Sequence, residues 1–453
     1  MAAGWESQGR ATMTSKHQWC FIALLGAFLL AQLYCGQEAG VQQSSDSAIF
    51  VDMAKNHTVF SKAFLAGSRP PLTSLVLKLV SVSPRSFVAV QWLAHLGAWA
   101  GLAYFFLVRS RHLVVGWVLA VWVLVLATTP QVQIWNYYVL SESLSLTCLP
   151  LIFLLLPYSI EQTSRRRWLA LAAVLLACAL LRDLGAYLAL ALGVALALAC
   201  FAAVARRRMP YALLGITILG FAFSSVTANV GVPGAMDRRW VFPFFNVVGQ
   251  RILPDPARLR YFSERGMPVT DAVLGRSNKW ASADTFAVFN DPALAGFRDW
   301  TASHGKSVYS SYLLSHPGYT VGEALKQEKV ILHRLPSALA VYYPSGYRAV
   351  SANMPGIEAS FLWVLLPAIV AIPFAVRQRR SGLKPDDKWR VLLAVAVLLP
   401  IPILMVISYH GDAMEVARHS ISVAVYARIY AVFAAFLLFG QREGARREAA
   451  LES

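Results

Sequence analysis

Eleven ionisable residues stand at the ends of apolar runs in an otherwise hydrophobic chain: Asp46, Asp52 and Arg69; Glu142; Arg182 and Asp183; and His410, Asp412, Glu415, Arg418 and His419. An ionisable group at membrane depth costs about 2.5–3.5 kcal/mol on insertion scales, so each needs a reason to be there. Two kinds of chemistry suit the mixture. A carboxylate can take a proton from a reacting group, and an arginine fork can hold the oxygens of an anion. The plain alternative is that turns between helices are simply where charges stay wet.

The elements that must position these residues follow from composition. Of 453 residues, 57% are hydrophobic and only 14% charged, against about 25% charged in a soluble domain. With a mean hydropathy of +0.52, a bilayer is the natural solvent. A soluble enzyme, a disordered chain and a nucleic-acid binder are excluded. Apolar runs near the length of a membrane helix fall at 18–34, 86–108, 113–128, 139–156, 168–181, 184–203, 211–230, 360–376, 391–408 and 420–440. The expectation is an all-α membrane protein of about ten spans; 168–181 is short, and the alternative is that it forms one hairpin with 184–203, interrupted at Arg182-Asp183. Basic residues crowd every second connection: Arg10 and Lys16, Arg109 and Arg111, Arg165–Arg167, Arg206–Arg208, the 377–390 stretch, and Arg442, Arg446 and Arg447. This places both termini in the cytoplasm and accounts for much of the +17 net charge. The first run is long for a signal peptide and lacks an Ala-x-Ala site, so it is expected to stay as an anchor. The five cysteines, Cys20, Cys35, Cys148, Cys178 and Cys200, have no CxxC spacing and imply neither a metal nor a disulfide framework.

Two outward segments are long, 36–85 and 231–359, which divides the chain into an N-terminal module (1–230), a large extracytoplasmic helical loop (231–359) and a C-terminal module (360–453). In the first loop, Ser45 or Asp46 can cap a helix through SDSAIFVDMAKN, and Leu72–Val80 reads as a second helix after the Pro70-Pro71 break. Both are expected to lie at the membrane surface. The large loop is punctuated by prolines and reads as a helical layer, with helices at 256–265, after Asn290-Asp291-Pro292, at 309–314 and at 322–335.

The order of these pieces carries a resemblance. SDSAIFVDMA is followed by SRPPL, then LSESLSL, then an arginine ending the fifth span, then YLLSHPGYTVGEAL, and last an ARHS turn before the final span. The chain resembles the GT-C superfamily of integral-membrane glycosyltransferases, and is similar to the protein O-mannosyltransferases and the aminoarabinose transferase that modifies lipid A. The first 190 residues or so carry most of the likeness. The resemblance implies a sugar donor carried on a polyprenyl phosphate, an acceptor protein, lipid or envelope glycan, and an acid of the first outer loop as general base, which here is Asp46. Glu142 would orient the acceptor or assist the base. Arg182 and Arg418, with Arg69 and His419 behind them, would hold the departing phosphate. Asn136, Tyr137, His410 and His316 are further pocket candidates. Some members bind a divalent ion with paired carboxylates. The first outer loop has no DxD or adjacent acid pair, so no metal and no cofactor are expected, with a divalent ion as the alternative. The implied location is a bacterial plasma membrane with the site facing outward.

Each candidate has a plainer role beside the chemical one. Asp46 would only cap its helix, Glu142 would only meet the helix dipole, Arg182 and Asp183 would pair locally, and Arg418 would anchor to headgroups. Asp52 lies roughly 240° round the helix from Asp46 and is expected to be structural. His95 reads as a buried histidine, Arg428 as a snorkelling or phosphate-binding cation, and Asn56-His57-Thr58 fits a glycosylation sequon. A flippase or secondary transporter would hold its charges near the midplane with repeat symmetry, and no such symmetry is visible. A glycan ligase or polymerase would depend more on an outer histidine such as His316. A scaffold gives no reason for the charges to converge.

Overall fold

The computed structural model describes residues 15–110, 112–161, 165–202, 208–230, 238–333, 342–351 and 385–437. Helix is the regular secondary structure of these residues, with one isolated backbone bridge between Gln42 and Tyr138. Among the described residues, five helices are long and apolar enough to cross a membrane: Ser15–Ala39, Pro84–Arg109, Asp183–Phe201, Tyr211–Val230 and Trp389–Gly411. A bent pair, Leu113–Thr128 with Pro130–Tyr137, makes a sixth if counted as one span, and Glu142–Pro157 and Ile421–Ala435 are shorter apolar helices. The run at 168–181 lies in a 17-residue helix, and the run at 360–376 falls outside the described residues.

In chain order, α1 is Ser15–Ala39, α2 Ser45–Asn56, α3 Lys62–Leu65, α4 Pro71–Leu79, α5 Pro84–Arg109, α6 Leu113–Thr128, α7 Pro130–Gln133, α8 Glu142–Glu161, α9 Arg165–Leu181, α10 Asp183–Ala202 and α11 Arg208–Val230. Helices α5, α8, α9 and α10 pack in succession, and the last long helix, Ile421–Ala435, packs on α8. The apolar seam between them includes Phe105, Phe106, Phe153 and Phe433, all essentially buried. Such a core is held by close packing of side chains, since lipid tails are as apolar as the helices themselves.

All the turns that carry the ionisable residues meet at one end of this bundle. There α2 lies against α4, and α4 reaches α9. Ser74 Oγ donates to the Phe50 carbonyl at 3.1 Å, and Lys78 Nζ caps the end of α2 by donating to the carbonyls of Ala54 and His57. The expected surface helices therefore exist at 45–56 and 71–79, docked on each other and on the bundle.

A separate layer covers 238–333. It has its own core around Phe244, Phe245, Phe262, Phe297 and Tyr312. Its helices are α12 Val241–Val247, α13 Pro256–Ser263, α14 Asp271–Leu274, α15 Ala283–Asn290, α16 Ala295–Trp300, α17 Lys306–Ser315 and α18 Pro317–Lys326. Asp255 caps α13 by accepting from the Ala257 and Arg258 amides, and Asp291 accepts from the Ala293 amide at the Pro292 turn. The proline-led starts read from the sequence are thus formed. Beyond the layer come α19 Ser345–Ser351, α20 Pro385–Leu398, α21 Pro400–Gly411, α22 Val416–His419 and α23 Ile421–Ala435.

Candidate active site

The site is assembled by three backbone devices. Gly40, with φ +62°, turns the chain out of α1. Gln42 then pairs with the turn ahead of α8: its amide donates to the Tyr137 carbonyl at 2.8 Å, and the Val139 amide donates to its own carbonyl at 3.1 Å. That turn is held from behind by Gln91, whose buried Nε2 donates to the carbonyls of Trp135, Asn136 and Tyr138. Asp46 and Glu142 are thereby fixed as neighbours, although 96 residues separate them. Asp46 occupies the first turn of α2 without capping it; Ser44 is the cap residue, its amide donating to Ser47 Oγ.

Arg418 joins them. It leaves α22, Nε donating to Glu142 Oε1 at 2.7 Å, Nη2 to Asp46 Oδ2 at 2.8 Å and Nη1 to Glu415 Oε2 at 3.0 Å. Nη1 also reaches the Tyr342 hydroxyl at 3.3 Å, and that hydroxyl donates to the other oxygen of Glu415. Glu415 adopts a left-handed backbone, φ 51°, at a cost of roughly 1–2 kcal/mol, which its two carboxylate contacts offset. Arg418 is a buried hub for three carboxylates, so the headgroup-anchor role does not apply. The other oxygen of Asp46 takes Arg69, Nη2 donating at 2.5 Å. Burial alone would raise the Asp46 carboxyl, but Arg69 and Arg418 outweigh it and hold it at about 2.

Arg182 sits at the α9–α10 break. Its Nη2 lies 3.8 Å from Glu142 Oε1 and 3.3 Å from His419 Nδ1. The local pair with Asp183 does not form: Asp183 turns away to accept from Ser224 Oγ at 3.0 Å and faces Arg239 Nη2 at 3.5 Å. Burial, with Arg182 and Arg418 close by, holds His419 at about 3. It is therefore a neutral imidazole that accepts from Arg182, and its Nε2 faces Asp412 at 3.6 Å. It orients a cation and supplies no charge of its own to an anion.

The remaining candidates separate. Asn136 accepts from Ser143 Oγ at 2.6 Å beside Glu142. Tyr137 instead points toward α1, its hydroxyl donating to the Gln32 carbonyl. His410 bonds the layer through the Thr320 carbonyl at 2.9 Å. His316 is exposed in the layer, stacked on Tyr312 with ring centroids 4.3 Å apart. Asp52 is exposed and accepts from Asn56 Nδ2, so the sequon asparagine is engaged. His95 is buried beside Trp99, and Arg428 donates to the Ala424 and Leu332 carbonyls within the bundle.

Arg239, Tyr342 and Asn246 belong to this network and were not singled out from the sequence. Arg239 is the second residue of the Arg238-Arg239 doublet, and its Nη2 donates to the Ser224 carbonyl and Thr227 Oγ1. Around the site, among the described residues, the buried side-chain atoms without a protein partner are the acceptor Gln91 Oε1 and the donors Arg182 Nη1, Arg239 Nε and Nη1, Asn136 Nδ2 and Trp135 Nε1. The five donors are the majority. A ligand that satisfies them must bring acceptor oxygens, as a phosphate does. Among the described residues no group of three or more His, Cys, Asp or Glu side chains converges as metal ligands would.

Compared with known protein families, with characterised proteins and with solved structures, the chain gives no match. The functional reading rests on its own residues.

Proposed function

We propose that this chain is an inverting, membrane-embedded glycosyltransferase of the GT-C type, moving a single sugar from a polyprenyl-phosphate donor to an acceptor hydroxyl. The observation that carries this is the shared network of Asp46, Arg418 and Glu142, flanked by Arg69 and by Arg182, whose buried Nη1 is unmet. One carboxylate and one anion cradle, side by side at the end of an apolar bundle, are what the reaction needs. Asp46 takes the proton of the acceptor hydroxyl as its oxygen attacks the anomeric carbon. The bond from that carbon to the phosphate oxygen breaks with its electron pair, and the arginines receive the charge that appears on the polyprenyl phosphate. The leaving group departs as an anion, so no general acid is required. In this reading the chain has about ten spans with both ends cytoplasmic, lies in a bacterial plasma membrane, and turns the site outward. The acceptor is a protein, a lipid or an envelope glycan, and the sugar a pentofuranose or a hexose.

The test incubates purified protein with a panel of radiolabelled polyprenyl-phosphate sugars and follows which label moves. Asp46→Asn keeps expression and donor binding and lowers transfer by about 10²–10⁴-fold. Substantial retained turnover would remove Asp46 as the base.

A further inference from the structure

Both oxygens of Asp46 are occupied by guanidinium groups, one from Arg69 and one from Arg418. Each oxygen keeps a second lone pair, but two cations on one carboxylate stabilise the anion and make it a poor proton acceptor. Releasing one arginine makes it a stronger base, and the two differ sharply in what holds them. The Arg418 side chain is 9% exposed and is shared among Asp46, Glu142, Glu415 and Tyr342. Removing it would strand the buried carboxylate of Glu142, a costly event. The Arg69 side chain is 38% exposed, its hydrogen-bond partner is Asp46, and it lies in the connection between α3 and α4, outside any helix. Long exposed side chains of this kind reorient readily.

We propose that Arg69 is a donor-operated latch on Asp46: the phosphate of the polyprenyl donor draws Arg69 off the carboxylate and thereby frees the base. This rests on the glycosyltransferase reading and adds an order to it. The donor binds first, and Asp46 becomes an effective base for the acceptor proton once the leaving group is in place. Arg69 is then a positioning residue whose partner changes from a carboxylate to a phosphate, while Arg418 keeps Asp46 in register from the buried side. Arg182 and Arg239 are both close enough to repel Arg69, although Glu142, Asp46 and Asp183 partly balance these cations. The donor's phosphodiester brings one negative charge beside these cations, which favours the exchange.

Infrared difference spectra test this on the full chain in nanodiscs, with sugar-free decaprenyl phosphate as the probe and binding followed separately with tritiated lipid. The Asp46 carboxylate band is identified by its loss in Asp46→Asn. Adding the lipid should shift that band in the wild type. In Arg69→Gln the band should already stand displaced and should not move further, with lipid binding about tenfold weaker; Arg69→Lys should restore part of the shift. Measured binding with an unmoved band overturns the latch and leaves the glycosyltransferase reading standing. No binding at all removes that reading and the latch with it. An equal shift from inorganic phosphate at the same concentration overturns the assignment to a lipid-linked donor.

Discussion

Arg418 and Arg182 look alike in the sequence, both arginines at the end of an apolar helix, and the structure gives them different work. Arg418 is saturated by acceptors, so its loss acts first on folding. Arg418→Ala leaves Glu142 buried without its main partner and should cost about 3–5 kcal/mol of stability, the range found when one half of a buried pair is removed. Arg182 touches Glu142 only at 3.8 Å and keeps an unmet Nη1. Arg182→Ala should therefore leave the melting temperature nearly unchanged while weakening donor affinity tenfold or so. Thermal melts and lipid-binding isotherms on the two variants check the split, and equal melting temperatures would refute it. Asp46 adds a dependence on pH. Its folded value of about 2 lies below its ordinary 3.8, so its stabilisation is fully present above pH 4 and disappears as the pH falls toward 2. The difference corresponds to roughly 2 kcal/mol. Wild type should lose more stability than Asp46→Asn between pH 5 and pH 2.5 by about that amount, read from denaturation at each pH.

At the scale of elements, what could be read from the chain was whatever depends on local order. The proline-led helices after Asp255 and Asp291, the two helices of the first loop and the long apolar runs all follow from caps, breakers and hydropathy. Pairing across long distances was not legible. Nothing in the residues near Gln42 says that its backbone bonds the 137–139 turn, and nothing near Asp183 says that it prefers Arg239 to the adjacent Arg182. His419 reads as a phosphate-site residue in a basic ARHS turn, and only burial together with the surrounding arginines makes it neutral. Tyr342 and Glu415 could be found only through their shared contact with Arg418. The α9–α10 break shows how an element edge sets the site. Gly185 brings α10 so near α9 that an added Cβ would lie 2.1 Å from the Cys178 carbonyl oxygen. That oxygen also accepts from the Arg182 amide at 3.3 Å. Gly185→Ala must push the break apart and carry Arg182 off Glu142. The expected result is a loss of about 1–3 kcal/mol, as for other overpacked sites, together with weaker donor binding. Gly97→Ala, where the new methyl would meet open space, is the control that should do neither.

The whole molecule joins two cores, and the join falls on the turn that carries Arg418. From the layer, Arg251 donates to the carbonyls of Tyr409 and Asp412 and lies over the Tyr409 ring at 3.8 Å. Asn246 Nδ2 donates to Asp412 Oδ1 at 3.1 Å, and Tyr309 donates to the His410 carbonyl at 3.0 Å. Burial raises Asp412 to about 6 even though the Met414 amide, Asn246 and Arg251 oppose it. The layer thus holds the 409–414 segment from one side while α22 presents Arg418 from the other. Arg251→Met keeps most of the apolar stem and removes the fork. Two buried carbonyls then lose a charged donor, at about 1–3 kcal/mol each, and the loss is confined to the join because neither core contains Arg251 bonds of comparable reach. Limited proteolysis should show faster cutting between the layer and α21, with the bundle fragment itself still resistant. On the proposed reaction, transfer should fall because Arg418, and through it Asp46, is no longer held in register, whereas lipid binding at Arg182 should change little. A variant that cuts like the wild type and transfers at the wild-type rate would mean that the layer covers the site without tuning it.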